Sequence, residues 1–342
     1  MKRAFIFGYS EKSEFTKSQA IALKYAGYSV NESNIYNSNL YLFNWYENIY
    51  NYNILSFIKK LGFLIYLKIF NKKLVFYVHN INPHKKDNTS PTLLLSSILF
   101  CLLFILSNKV IILSLNTKKY FKYRKILFKL FNYKIIYIPH PNMISNRTND
   151  YINDKMLENQ HELSMLYFGP ILKYKNIDLL IKVINRLSDY PIKILITGTC
   201  QKEYQKELEK MIKNRNIRIL NKYYTDDELF NLFQKYDICV FPLDLKSSLN
   251  SSSVILSFSM GKTVICPKIS TLLDYPNDLY FSYDYCSIVE HEKNLEQMIL
   301  KVFEIKISNS TKLKIMGEKC YNYVRNNNSQ DIINKLYCIN FG

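Results

Sequence analysis

Glycine is scarce in this chain, at eight residues in 342, beside nine prolines. So small a share excludes collagen-like and Gly/Ser-linker architectures. Neither GxGxxG nor GxxxxGK[ST] occurs, which leaves a dinucleotide or P-loop phosphate site of the usual form unsupported. The seven cysteines (Cys101, Cys200, Cys239, Cys266, Cys286, Cys320 and Cys338) are odd in number and scattered, and no two form a CxxC pair. That argues against a disulfide framework or a zinc cluster and for a reducing cytoplasm. The start, MKRAFIFGYSEKSEF, has a basic head but too short an apolar stretch for a signal peptide, and it reads as a first β-strand. Thr92–Leu106 is strongly apolar yet shorter than the ~20 residues a membrane span needs, so a buried or membrane-facing helix is expected there.

Acidic residues are the other shortage, and only in the first half. Residues 1–150 hold 21 Lys/Arg against 6 Asp/Glu, which is +15 of the total +18. The remainder is nearly balanced, at 25 against 22. Such an imbalance, accompanied by aromatics, points to an anionic partner: a membrane surface or nucleic acid. No RRM, KH, OB or helix-turn-helix signature is present, and the basic excess runs beside apolar stretches, so specific nucleic-acid binding is the weaker reading.

At 48% hydrophobic residues the chain can bury a sizeable core. Strand-length apolar runs at Arg3–Phe7, Tyr41–Asn44, Leu74–His79, Val110–Ser114 and Ile135–Pro139 alternate with helical patterns at Glu14–Ala26, Ile54–Phe70 and Thr92–Leu106. The pattern lapses around 146–163 into a polar linker. A second series follows, with strands at Ser164–Phe168, Ile192–Thr197, Ile217–Leu220, Ile238–Pro242 and Thr263–Cys266. Helices are expected at Ile177–Leu187, Glu203–Asn214, Asp226–Gln234, Ser253–Met260 and from Leu295 onward. The fold class is therefore α/β: two doubly wound, Rossmann-like domains facing a cleft, over residues 1–145 and 164–342. The last helix is a candidate to return to the first domain.

The second half carries an ordered set of motifs: FGPILKYKNIDLLI (168–181), ILITGT (194–199), YYTDDELFNLFQKYDICVFPL (223–243) and NSSSVILSFSMGKTVICP (250–267). The first half adds LFNWYEN (42–48), FYVHNINPHKK (76–86) and YIPHPN (137–142). Together they resemble GT-B-fold glycosyltransferases, in particular glycosyltransferase family 4 (group 1) and bacterial capsule and exopolysaccharide sugar transferases. The resemblance implies a hexosyltransferase moving a sugar from a nucleotide-sugar donor to a lipid-linked acceptor glycan, cytoplasmic and peripheral on the inner face of the membrane. It implies that Gly169, Lys173, Lys175, Gly198 and the run Asn250, Ser251, Ser252 and Ser253 hold the donor. Two lysines just after a strand can neutralise a diphosphate, and serine caps leave a helix N-terminus open to an anion. Ordinary helix-entry charges and plain capping are the simpler alternatives.

Two departures from the family pattern stand out. Many members place Arg directly after the Gly, where this chain has Pro170. Many retaining members carry two glutamates eight residues apart, at places held here by Ser248 and Leu256. The resemblance therefore implies no stereochemical outcome, and a non-catalytic scaffold or a nucleotide-sugar epimerase remains an alternative. In the first domain His79, with Asn80 beside it, ends a strand at the place where relatives use a histidine near the reaction centre. Glu47 follows another strand beside Trp45, and the pair is suited to proton acceptance and sugar stacking. The simpler readings are a structural histidine and a surface-loop glutamate. No DxD-type acidic pair occupies a suitable strand end, so no metal is expected, and the nucleotide sugar is a substrate rather than a cofactor.

Overall fold

The computed structural model describes residues 2–31, 34–50, 53–80, 90–121, 124–143, 161–245 and 247–342. Most of the expected linker, and His84, Lys85 and Lys86 of the 76–86 motif, lie outside the described residues. The chain divides into two compact units. The first comprises Met1–Met143, Lys246–Asn250 and Asn327–Gly342, and the second Ile144–Leu245 and Ser251–Asn326.

The first unit is built on six parallel strands, β1 (Lys2–Phe7), β2 (Tyr28–Val30), β3 (Leu40–Phe43), β4 (Lys73–Val78), β5 (Lys109–Ile112) and β6 (Ile135–Tyr137). Their order is β2-β1-β3-β4-β5-β6. Alternate residues of a strand point to opposite faces, and a parallel sheet covered on both sides needs apolar residues on both. Leu40, Leu42, Val75 and Tyr77 accordingly join a core with helix α1 (Glu14–Tyr25) and the final helix α12 (Gln330–Phe341). Tyr41, Phe43, Leu74 and Phe76 join the opposite core with α2 (Ile54–Ile69), α3 (Ser90–Leu106) and α5 (Lys125–Leu130), which follows the short α4 (Thr117–Tyr120). The hydroxyl of Tyr28 donates to the Phe341 carbonyl at 2.9 Å, fixing the chain end on this unit.

The second unit repeats the plan with β7 (Leu163–Phe168), β8 (Ile192–Gly198), β9 (Ile217–Asn221), β10 (Ile238–Val240), β11 (Val264–Pro267) and β12 (Phe281–Tyr283). All neighbours are parallel, in the order β12-β11-β10-β7-β8-β9. The crossovers are α6 (Ile177–Arg186), α7 (Lys202–Met211), α8 (Asp226–Gln234) and α9 (Ser252–Ser259), followed by α10 (Ile288–Ser308) and α11 (Lys312–Asn327). Thr225 and Glu228 form a reciprocal capping box at the start of α8. Asp237 is structural: Oδ2 accepts from the Ser164 amide and hydroxyl at 2.7 and 2.8 Å, and Oδ1 pairs with buried Lys306 at 2.8 Å.

Helix α10 begins at Ile288, seven residues before its expected start, because Ser287 caps it by accepting from the Glu290 amide. The three-residue strands β2 and β12 were too short to stand out by periodicity.

Each strand order reverses once. The reversals fall between β1 and β3 in the first unit, and between β7 and β10 in the second. In open α/β sheets ligands bind beyond the carboxyl ends of the strands at such points.

Candidate active site

In the second unit β7 ends at Phe168 and passes through Gly169 into a 3-10 turn, Lys173–Lys175. Asn176 then adopts a left-handed conformation (φ 54°) and starts α6, its Nδ2 donating to the Pro242 carbonyl at 2.9 Å. Gly169 (φ 133°) and Gly198 (φ 146°) end adjacent strands at a very close approach. A Cβ at Gly198 would lie 1.9 Å from the Gly169 carbonyl oxygen, so only glycine fits without moving the backbone. A Cβ at Gly169 would lie 3.0 Å from Ser253 Oγ, which places the start of α9 against the end of β7. Ser251 caps α9 by accepting from the Val254 amide at 3.4 Å. The first-turn amides of such a helix suit an anion.

The two lysines differ. Lys173 is exposed, lies 3.3 Å from Glu207 Oε2, and sits over the Tyr204 ring. Lys175 is half-buried, and among the described residues its ammonium makes no ion pair or hydrogen bond. Its contact is with the ring of Tyr174, 5.2 Å to the centroid. Desolvation pushes Lys175 down to about 8, a shift the thiol of Cys266 on β11 only partly opposes. A cation held out of water without a counter-charge is stabilised by any anion brought to it.

Asn250 parts company with the serines that follow it. It belongs to the first unit, where its Nδ2 donates to the His79 carbonyl at 3.1 Å. Ser251, Ser252 and Ser253 belong to the second.

In the first unit His79 follows β4 and Asn44 follows β3. The His79 imidazole is buried, with Nε2 2.8 Å from Asn44 Oδ1. Trp45, half-buried and with a left-handed backbone (φ 52°), stacks on that imidazole at 4.1 Å and 21°. One indole face expected for a sugar is thus taken by His79. Asn80 is buried beside it.

Glu47 is not a surface-loop residue. It is 5% exposed, and its Oε2 is buried without a hydrogen-bond partner. Burial raises its carboxyl from the ordinary 4.5 to about 7, against the opposing pull of Lys60 and Arg124. Lys60 donates to the carbonyls of Tyr46 and Asn48, at 2.8 Å each, and so brackets the residue.

Sequence reasoning missed Asn44 and Gln19, which reach each other through paired side-chain amides, and the Cys266 thiol beside Lys175. The signal for Asn44 is a polar residue directly after an apolar strand beside a sheet reversal. Gln19, in mid-helix, gives none.

Two domains of this topology, each with its polar groups beyond the carboxyl ends of parallel strands, define a class, and comparison with known proteins bears it out. Residues 149–275 match the family model described as "Glycosyl transferases group 1". Sucrose-phosphate synthase from Thermosynechococcus elongatus superposes with a TM-score of 0.73 at 12% identity, covering 100% of this chain and 99% of that one. Anabaena HepE in complex with UDP and glucose superposes with a TM-score of 0.68 at 13% identity, covering 99% of each chain. S. aureus TarM gives a TM-score of 0.54 at 16% identity over 78% of this chain and 50% of its own. No curated protein sequence matches significantly. The chain shares the two-domain α/β fold of these solved structures. More narrowly, the segment from 149 to 275 is similar to group 1 glycosyltransferases.

Proposed function

We propose that the chain transfers a hexose from a nucleotide sugar to a lipid-linked acceptor in surface-polysaccharide assembly, working against the inner face of a membrane. The observation that carries the donor half of this reading is Lys175: a desolvated ammonium with no counter-ion among the described residues, in the turn that follows β7. A diphosphate supplies the missing charge. Gly169 and Gly198 let the backbone approach it closely, while the serine-capped α9 offers amides. UDP is the first nucleotide to test, because it is the one bound in HepE. The diphosphate is the leaving group, and its charge is stabilised by Lys175 and the helix rather than by a protein-held metal. Lys173 assists from the rim. On the acceptor side His79, with Asn80 and Trp45, serves the sugar, and Glu47 offers a carboxyl that titrates near neutrality.

The membrane part of the reading rests on the surface of the first unit. On α2 Leu55, Ile58 and Ile69, with Phe70 just beyond its end, are exposed beside Lys59 and Lys68, and on α5 Ile126 and Leu130 beside Lys125 and Lys129. Residues 54–134 hold 15 Lys/Arg and a single acidic residue, Asp87. Exposed apolar side chains ringed by unopposed lysines complement an anionic bilayer. No helix among the described residues is long and apolar enough to cross a membrane.

A thermal-shift screen against UDP, UDP-sugars and GDP-sugars tests the donor assignment, since a ligand bound by the native state raises its stability. Stabilisation by at least one nucleotide sugar, lost in Lys175→Ala, is expected. No stabilisation by any of them would refute the reading.

A further inference from the structure

Helix α2 has two unlike faces. Ile54, Ile58, Ile65 and Ile69 recur at helical spacing, and all four side chains are exposed. Of the sixteen residues of α2 only Leu64 and Leu67 are buried, and both lie in the carboxyl half. The amino-terminal half meets the core through half-buried Phe57. A segment with so few buried contacts opens at low cost.

Lys60 supplies a further hold. It lies two residues beyond Ile58, about 200° around the helix, and so turns away from the exposed stripe. Its ammonium donates to the Tyr46 and Asn48 carbonyls at 2.8 Å each. The Tyr46 hydroxyl donates back to the Lys60 carbonyl at 3.1 Å, and the ammonium lies 5.1 Å from the centre of the same ring. Helix α3 adds a second tether, the Ile49 amide donating to Ser96 Oγ at 3.0 Å. The loop held in this way carries Trp45 and Glu47. Lys59, next in sequence, is exposed with the stripe. Two adjacent lysines thus face opposite ways, one toward solvent and one toward the loop.

We propose that Lys60 is a positioning residue that couples the exposed side of α2 to the loop of Trp45 and Glu47, so that docking on an anionic bilayer sets the loop. This inference rests on the reading that α2 docks on such a bilayer. Ile54, Leu55 and Ile58 form one apolar face only while the amino-terminal half of α2 is helical and seated. A bilayer therefore binds that state best and shifts the population toward it. The ammonium of Lys60 reaches both carbonyls only from the seated helix, which passes the gain to the loop. For the proposed transfer, the acceptor-side loop is then ordered at the membrane, where a lipid-linked acceptor is met.

Trp45 is the only tryptophan of the chain, so its fluorescence reports on this loop without labelling. The test is acrylamide quenching of the full chain with and without vesicles of phosphatidylglycerol and phosphatidylcholine. It is read beside co-sedimentation, at a lipid concentration that sediments each variant. Vesicles should lower the quenching of the wild type. Brominated lipid should add no quenching of its own, because Trp45 stacks on His79 rather than entering the bilayer. Lys60→Met should show higher quenching in solution and lose the fall with vesicles. Lys60→Arg, which keeps a cationic donor, should regain part of that fall. Should Lys60→Met fail to fold, Tyr46→Phe, which removes the return bond to the Lys60 carbonyl, should show a reduced fall. Unchanged quenching in the vesicle-bound wild type, strong quenching by brominated lipid, or a full fall in folded Lys60→Met or Tyr46→Phe overturns the proposal. A wild type that stays in the supernatant refutes the membrane reading, and the coupling with it.

Discussion

The two units share a sheet plan and differ in how they handle charge. In the second, cations are answered on the surface: Arg186 by Glu292 and Glu296, Lys222 by Glu228, Lys268 by Asp284 and Lys319 by Asp278. Lys175, whose ammonium has no such partner among the described residues, is conspicuous against that background. In the first unit lysines crowd helices that carry exposed isoleucine, leucine and phenylalanine, and residues 54–134 hold almost no acid to meet them. Exposed ion pairs contribute little to stability, about 0–1 kcal/mol each, so the difference is not about folding strength. It concerns partners: an isolated half-buried cation suits a small anion, and a field of unopposed lysines beside apolar side chains suits an extended anionic surface.

Substitutions in one unit should therefore spare the function of the other. The largest expected effect is on turnover. His79→Ala should lower kcat on the order of 10²–10⁴-fold, with nucleotide affinity retained, as steady-state kinetics beside calorimetry would show. Wild-type kcat would detach His79 from the reaction.

Replacing Lys59, Lys68 and Lys125 together by Gln should come next. At about 1 kcal/mol for each lysine near an anionic surface, vesicle binding should weaken roughly a hundredfold in co-sedimentation, with donor affinity untouched. If the native chain stays in the supernatant with anionic vesicles at low salt, the membrane assignment is wrong.

Glu47→Gln should give the smallest effect of the three. Between about pH 4.5 and about 7 the folded chain holds a proton on Glu47 that the unfolded chain has released, so stability falls as pH rises through this window. The variant should gain on the order of 2–3 kcal/mol above pH 7 and nothing below pH 4.5, seen as a shifted urea midpoint. A loss of turnover by 10²-fold or more in the same variant would support the carboxyl as an acceptor base. Retained turnover with the stability gain would mark it as a buried structural group.

Much of the fold could be read in the sequence, because parallel strands buried on both faces are nearly continuous apolar runs, and β4 and β8 stand out as such. The ends of elements drifted wherever a cap decides them: only the cap itself, Ser287, sets where α10 begins. The two chemistries were also legible unequally. Lys175 lies in a motif read as donor-binding, but its separation from Lys173 is tertiary, set by Glu207 on α7 drawing one lysine and burial taking the other. Glu47 could be read as a loop residue because it follows a strand and lies outside any helical or strand pattern, yet the Lys60 contacts that enclose it come from α2. Asn250 stands beside three serines in the chain and joins the other unit in space, which no local pattern encodes.

The central claim is that Lys175 holds the donor diphosphate, and the pH dependence of UDP affinity tests it most directly. Between about pH 7 and 8 the ammonium is charged and the terminal phosphate of UDP is ionised, so affinity should be flat, whereas above about 8 the ammonium loses its proton in the free chain and affinity should fall. Lys175→Ala should bind roughly 10–100-fold more weakly at pH 7, the equivalent of about 1.5–3 kcal/mol for a hydrogen bond to a charged group, and should lose the alkaline fall. Equal affinity in the two proteins, or the same alkaline fall in both, would contradict the account.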